Sequence, residues 1–413
     1  VTVTAVSPVD RPSHLAKMAA RAAGFQPSPV RAVFDVSMQP GMISLAGGNP
    51  FLPALPLEGI AQLARSVVLE RGLEALQYGS GAGTEELQAL ICQVMKLEGI
   101  SASPENIQVT AGSQMALELV TKLFCDPGDV VIAEGPTYVG ALGVFEGFQA
   151  EVAHVAMDDD GVDPERLQQV IAGLKAAGKT IKFFYTIPNF NNPSGISLSP
   201  ERRQRVVDVC RAEGVLVVED NPYGLLAFDG TSPDATAAPA LHSLDPDNVL
   251  YLGSFSKIFA PGLRVGWVVA PEDVRGRLQI ASEATTICPS VLSQLIVENY
   301  ISSYDWRGQI EAYSSVYASR CRATLDALAA HMPEGTRWTT PTGGFFTWVT
   351  LPEGIDTEQV LAAAIDSGVV FVPGSAFYAD GGGANQLRIA FSYADEEQLS
   401  EGVRRLGEAI RGL

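Results

Sequence analysis

The chain has 413 residues, 46% of them hydrophobic, enough for a substantial core in two domains or in one large domain with an appendage. Its 47 acidic against 28 basic side chains give a net charge of −19, which argues against nucleic acid or an anionic membrane as the main partner. Any anionic ligand must then find a local positive site.

Near the amino end, His14-Leu-Ala-Lys-Met-Ala-Ala-Arg-Ala-Ala23 is helical in character but too short and mixed for a targeting peptide. Between roughly 100 and 270, strand and helix patterns alternate. Asn106-Ile-Gln-Val-Thr110 is strand-like, and Gly112-Ser113-Gln114 then opens a helix. That helix carries Met115, Leu119, Val120 and Leu123 on one side and stops near Asp126-Pro-Gly-Asp129. Val130-Val-Ile-Ala133 follows, then a Gly135-Pro-Thr-Tyr138 turn, another helix, and a strand from about Ala150 to Val155. Ile181 to Ile187 is a further strand, ended by Pro188. Ser199-Pro200 starts a helix with a serine cap and proline at the first position, and that helix ends at Gly214. Val215-Leu-Val-Val218 continues directly as an unbroken apolar run, the pattern of a parallel strand covered on both faces. Asp229 to Asn248 and Gly381-Gly-Gly383 are expected to be loops, while Val249-Leu-Tyr-Leu252 and Val265-Gly-Trp-Val-Val-Ala270 are strand-like.

Topology gives these segments a common edge. In a parallel sheet with right-handed crossovers, all strand carboxyl ends lie on one side, where ligands usually bind. Ser113, Asn192, the Asp220–Tyr223 pair and Lys257 each follow a different strand, so four polar clusters converge there.

The remaining polar chemistry is bland. The five cysteines are odd in number and far apart with no C-x-x-C spacing, which points to a reducing, cytoplasmic compartment. Cys210, among Val206, Val207 and Val209, is expected as a core thiol. The four histidines lie in unrelated contexts, so no metal site is expected. No secretory signal is evident, and no apolar run approaches membrane-spanning length.

One lysine stands out. In Ser254-Phe-Ser-Lys257-Ile-Phe-Ala-Pro-Gly-Leu-Arg264, an amine flanked by two serines and then an arginine follows a buried strand. That set suits an amine bonded to a carbonyl while hydroxyls and a guanidinium hold a phosphate, and pyridoxal phosphate carries both groups. Gly112-Ser113-Gln114 offers helix amino-terminal N–H groups to a phosphate, though a glycine and serine there commonly serve only as a cap. Asp220 can pair with a protonated ring nitrogen, or else cap its own loop. Asn192 and Tyr223 can both donate to a ring phenolate oxygen, and Tyr138 can stack on the ring or belong to the core.

Tyr78-Gly, Gly112-Ser-Gln, Tyr138, Asn192-Pro-Ser-Gly, Asp220-x-x-Tyr223, Ser254-x-Ser-Lys257-x-x-x-Pro-Gly-Leu-Arg264 and Arg388 together resemble the class I/II aminotransferases of the aspartate aminotransferase superfamily. The resemblance runs from about residue 44 to the carboxyl end. It implies an α/β fold of type I for pyridoxal 5'-phosphate enzymes, with a mostly parallel central sheet flanked by helices and a smaller α+β domain. Residues 51–300 would form the large cofactor domain, and 1–50 with 301–413 the small one. It implies a homodimer with shared sites, Tyr78 reaching the partner's phosphate. Lys257 would carry the Schiff base and, once freed, move the proton. Asp220 would keep the ring nitrogen protonated, Tyr223 and Asn192 would tune the phenolate, and Ser113, Gln114, Ser254, Ser256 and Arg264 would hold the cofactor. Arg388 would fork the substrate's α-carboxylate.

Ile43-Ser-Leu-Ala-Gly-Gly-Asn-Pro50 and Pro188-Asn-Phe-Asn-Asn-Pro-Ser-Gly195 resemble the branch of 2-aminoadipate, kynurenine and broad aromatic or branched-chain aminotransferases. There, an amino-terminal arginine meets a distal carboxylate. Arg31 is the matching position, a solvated helix residue being the alternative. Gly47 and Gly48 would let backbone approach the substrate. The reaction implied moves an α-amino group from an aromatic, branched-chain or 2-aminoadipate-like donor to a 2-oxo acid, with 2-oxoglutarate the expected acceptor. Two rivals stay open. A lyase, decarboxylase, racemase or oxidase could use the same cofactor residues. The other rival, a regulator with a helix-turn-helix module, finds only about 40 residues before Ser44 and an acidic chain.

Overall fold

The computed structural model describes residues 14, 17–25, 29–228 and 238–413. In chain order the strands are β1 (Ile43–Ser44), β2 (Ile107–Thr110), β3 (Val130–Gly135), β4 (Glu151–Asp158), β5 (Gly161–Val162), β6 (Ile181–Thr186) and β7 (Leu216–Asp220). They continue with β8 (Val249–Ser254), β9 (Gly266–Val269), β10 (Arg337–Trp338), β11 (Phe346–Thr350), β12 (Val369–Val370), β13 (Val372–Pro373) and β14 (Gln386–Ala390). Eight of these form one sheet in the order β2-β9-β8-β7-β6-β3-β4-β5. The central pairs β4–β3, β3–β6, β6–β7 and β7–β8 are parallel, while β9 runs antiparallel to both β8 and β2. Two reversals leave β2 parallel to β8. The carboxyl ends of β2, β3, β6, β7 and β8 therefore share one edge, as the sequence pattern required.

The unbroken apolar strands are buried because helices cover both faces. Phe183 and Tyr185 on β6 both meet Phe145 edge-on, at 5.8 and 5.6 Å between ring centroids, contacts worth about 0.5–1.5 kcal/mol each beyond their area. Helix Ser113–Phe124 buries Ala116, Leu117, Leu119 and Val120. Leu123, expected on that face, is exposed, because the stripe turns toward 116 and 117 as the helix winds. Cys210 is fully buried, and burial pushes its thiol up to about 12, so it is an inert core residue.

Two further expectations shift. Ser199 occupies the cap position of helix Pro200–Glu213, but its side chain makes no capping bond there. Within the expected 229–248 loop, residues 229–237 lie outside the described residues, and Leu241–Leu244 forms a short helix. Its first N–H groups, of Leu241 and His242, donate to the buried Glu219 carboxylate at 3.0 and 2.9 Å. A helix end finds its acceptor across the core, which composition does not reveal.

The carboxyl-terminal part adds a four-stranded sheet, β10-β11-β14-β13, joined antiparallel. The amino-terminal segment crosses to it: β1 pairs with β12, and Ala390 N donates to Leu45 O at 2.7 Å. Residues 46–48 are thereby carried to the ligand edge of the large sheet. Among the described residues no helix is long and apolar enough to cross a membrane.

Candidate active site

A cavity of about 510 Å³ opens at that edge. Its lining includes Gly48, Ser113, Gln114, Tyr138, Asn192, Asp220, Tyr223, Ser254, Ser256, Lys257, Arg264 and Arg388. Val30, Val139, Ile187 and Phe346 supply an apolar wall. Residues spread over more than 300 positions thus meet in one space, because each terminates a strand or belongs to a segment tied to one.

One end of the cavity is built for an anion. Gly112 caps helix Ser113–Phe124 at φ +81°, and a Cβ there would lie 2.4 Å from Arg264 Nη2. A Cβ on Gly266 would lie 2.6 Å from Ser113 N. Both positions need glycine so that guanidinium, helix terminus and β9 can close together. Arg264 itself holds a left-handed backbone, φ +53°, and stands exposed at the cavity mouth. Its Nη2 donates to Ala111 O at 3.0 Å, and Ser254 Oγ lies 2.8 Å from Ser256 Oγ. Helix N–H groups, two hydroxyls and a guanidinium form an anion cradle.

At the middle, Asp220 is buried, and one carboxylate oxygen accepts from Tyr185 OH at 2.7 Å. The other oxygen has no partner. Burial raises the carboxyl to about 6, opposed by the Tyr185 bond and Lys257. A buried carboxylate with a free oxygen facing a cavity calls for a cationic N–H. Lys257 Nζ donates to Gly48 O at 2.9 Å, and burial, with Arg388 and Arg264 nearby, pushes the amine down to about 8. Behind Asp220, Glu98 accepts from Tyr251 OH and from Asn221 Nδ2 at 3.1 Å, and burial raises it to about 8.

At the far end sits Arg388, 3% exposed, with no acidic partner among the described residues. Its Nη1 donates to Asn192 Oδ1 at 2.8 Å and Nη2 to Ala46 O at 2.5 Å, while Nε has no acceptor. Phe346 and Phe377 flank it, ring centroids 4.3 and 5.1 Å from Cζ, and burial lowers it to about 10. A buried guanidinium without a carboxylate is costly unless a ligand brings one. Gly48 lies against Phe346, where a Cβ would meet the ring at 2.5 Å.

Two expected residues stand apart. Tyr78 is 72% exposed and does not line the cavity. Arg31 lies on helix Pro29–Ser37 with its side chain 74% exposed, 3.5 Å from Asp35. Its neighbour Val30 faces the cavity instead. Sequence reasoning missed Tyr185 and Phe346. A tyrosine inside a continuous buried strand was the available signal for Tyr185, since its hydroxyl needs a partner. Phe346 carried none.

Pyridoxal 5'-phosphate fits this donor set. The anion cradle suits its phosphate, the free Asp220 oxygen its ring nitrogen, Tyr223 and Asn192 its phenolate, and the Lys257 amine its aldehyde.

Known proteins agree with this geometry. Residues 40–406 match the family model for aminotransferase class I and II. The chain is 37% identical over 392 residues to aromatic-amino-acid aminotransferase 1 of Thermococcus litoralis, covering 95% of this chain and 93% of that one. Its structure superposes on kynurenine aminotransferase of Pyrococcus horikoshii with a TM-score of 0.90 and 36% identity, over 96% of this chain and 97% of that one. It also matches an α-aminoadipate aminotransferase of Thermus thermophilus complexed with N-(5'-phosphopyridoxyl)-L-leucine, at TM-score 0.88 and 34% identity, over 97% and 98% of the two chains. The chain belongs to the class I and II aminotransferases, with their fold type I architecture, and is a pyridoxal-phosphate-dependent aminotransferase.

Proposed function

We propose that the enzyme takes the α-amino group of an aromatic or branched-chain amino acid and passes it to 2-oxoglutarate. The observation that carries this reading is the asymmetry of the cavity. One buried guanidinium, Arg388, shares the cavity with the apolar Val30, Val139, Ile187 and Phe346, the last of these against its Cζ. The other cations, Lys257 and Arg264, lie on the cofactor side. An α-carboxylate finds its fork and an apolar side chain finds its wall. A distal carboxylate, on 2-oxoglutarate or 2-aminoadipate, needs one more cation, and Arg31, next to the cavity-lining Val30 on helix Pro29–Ser37, is the candidate for it. The names of the aromatic and kynurenine relatives support the aromatic donor.

When bound, the cofactor supplies an electron sink for the carbanion formed at the substrate α-carbon. Arg388 orients the substrate through its α-carboxylate, exchanging a backbone carbonyl for a charged acceptor. Lys257 Nζ, lowered from 10.5 to about 8, reaches the neutral amine form far more readily than a free lysine, and in that form it can take the α-proton. Asp220 would hold the cofactor's ring nitrogen protonated. Tyr223 and Asn192 would donate to its phenolate, and the Gly112–Gln114 backbone, Ser254, Ser256 and Arg264 would hold its phosphate. Phe346 and Val139 exclude water from the reacting carbon.

The reading includes a homodimer. Tyr78, too exposed to serve its own cavity, would complete the partner's phosphate site, and Leu69, Leu73 and Leu76 beside it expose an apolar face consistent with a subunit contact. It also includes a large domain of residues 51–300, a small domain of 1–50 with 301–413, and a cytoplasmic setting suited to the unpaired thiols. The test adds amino acids singly to the holo-protein without a 2-oxo acid. A stoichiometric absorbance change that 2-oxoglutarate reverses, greatest for aromatic and branched donors, is expected. Continuous product release without acceptor, as a lyase, decarboxylase or oxidase would give, refutes it.

A further inference from the structure

We propose that Glu134 is a positioning residue for substrate-carboxylate recognition, holding the Asn191–Asn192 loop and through it the Arg388 guanidinium. The inference rests on Arg388 being the carboxylate site. Glu134 is the penultimate residue of β3 and is 2% exposed. Nothing in its surroundings needs an acid for packing, and no cation pairs with it among the described residues. Three donors converge on it instead. Thr186 Oγ1 reaches Oε1 at 2.6 Å, while Ile187 N at 3.0 Å and Asn191 Nδ2 at 2.6 Å both reach Oε2. A buried acceptor with three aimed donors fixes the orientation of all of them.

Asn191 transmits that constraint. Its Oδ1 accepts from Ser194 N at 3.1 Å and Ser194 Oγ at 2.9 Å, so its NH2 group must face Glu134. The next residue, Asn192, presents Oδ1 to Arg388 Nη1 at 2.8 Å. A loop that rotates at Asn191 therefore carries away one of the two acceptors that orient the guanidinium.

A second path leaves from the Glu134 main chain. Its carbonyl accepts from His154 Nδ1 at 2.8 Å, and His154 Nε2 accepts from Ala379 N at 2.9 Å. Thr137 N donates to Phe377 O at 3.0 Å, and the Phe377 ring lies beside Arg388. The two segments that flank Arg388, one polar and one aromatic, are thus both anchored at residues 134–137. Misplacing a charged fork by about 1 Å costs on the order of 100-fold in rate.

The readout is the ratio of kcat/KM for an amino acid to that for the primary amine with the same side chain and no carboxylate. The ratio is independent of how much protein is correctly folded, so general damage does not move it. In the holo-protein, Arg388→Ala should collapse it. Glu134→Met, which keeps the volume but removes both acceptors, should lower it by about 10- to 100-fold. Glu134→Gln should restore most of it, because the amide oxygen can take the two N–H donors while the Thr186 hydroxyl turns to accept. Should the methionine variant fold poorly, Asn191→Ala breaks the same link and should lower the ratio likewise. The Kd of 3-phenylpropionate, an unreactive carboxylate, measured by calorimetry, should follow the same order without any turnover. An unchanged ratio in Glu134→Met and Asn191→Ala beside a collapsed one in Arg388→Ala overturns the role of Glu134. An unchanged ratio in Arg388→Ala overturns the carboxylate reading beneath it.

Discussion

The two ends of the cavity are made differently. At the cofactor end, Ser113, Asp220, Ser254 and Lys257 sit on, or within three residues of, the ends of strands in one sheet. Their neighbours leave little freedom: Gly112 and Gly266 are packed so closely that a methyl group would collide with backbone or guanidinium. At the substrate end, Val30, Gly48, Phe346 and Arg388 come from four separate segments, two of them ahead of the large sheet and two after it. Fixed chemistry is thus carried on one rigid edge, while the walls that choose the substrate come from covering segments. A change at the first end should abolish reaction with every substrate, and a change at the second should reorder substrates.

The largest effect belongs to Lys257→Ala. Turnover should fall by about 10⁴-fold or more for all donors alike, as expected when the proton-transfer group is removed. The visible absorbance characteristic of the holo-protein should disappear too, read by spectrophotometry after reconstitution. An unchanged spectrum would show that another amine holds the cofactor, and the division between the two ends would fail at its centre.

A middle-sized effect tests how the rigid end is stabilised. Glu98 lies behind Asp220, and burial raises it from 4.5 to about 8. The folded state then binds a proton that the unfolded chain has released, so the stability from the protonated form is complete below about 4.5 and is lost as pH rises through 8. Glu134 and Glu219, each raised to about 7 by burial, act in the same direction over a lower window. Glu98→Gln keeps acceptor and donor facing Asn221 and Tyr251 but removes the titration. Its unfolding midpoint should decline less steeply between pH 5 and 8 than that of the parent. The difference should grow to a few kcal/mol, on the order of 1.4 kcal/mol for each pH unit that separates the folded and unfolded values. Substrate order should not change. Parallel midpoint curves would mean that Glu98 is not a buried, proton-binding carboxylate.

What could be read in the sequence follows the same divide. Lys257, Asp220, Asn192 and Ser113 were legible because strand-then-polar punctuation is local, and parallel topology converts it into a shared edge. Arg388 was legible only through the resemblance to the aminotransferase family, which its setting among Leu387, Ile389 and Phe391 agrees with. Tyr185 and Glu134 were legible only as far as needing a partner, since a polar residue inside a buried strand does not reveal which neighbour it faces. Phe346 and Val139 were invisible for a simpler reason: an apolar residue that lines a cavity has the same pattern as one that fills a core. Leu123 was misplaced because a stripe drawn from four residues leaves the helix phase loose.

Arg31 gives the smallest effect and the finest test of the substrate end. Successive residues on a helix point about 100° apart, so with Val30 toward the cavity the Arg31 side chain is directed to one side, where it meets Asp35. That pair is exposed on both sides and spaced i,i+4, and such pairs contribute less than about 1 kcal/mol. A distal carboxylate arriving at the cavity mouth could therefore draw Arg31 away from Asp35 at little cost. Arg31→Ala should lower kcat/KM for 2-oxoglutarate and 2-aminoadipate by roughly five-fold, about 1 kcal/mol, and leave aromatic donors unchanged. Asp35→Ala should do the reverse, freeing the guanidinium and raising dicarboxylate rates by a similar factor. Kinetics of both variants on one dicarboxylic and one aromatic substrate decide the matter. If Arg31→Ala slows both substrates equally, the arginine acts on the covering helix as a whole, and selection at this end rests on the apolar wall alone.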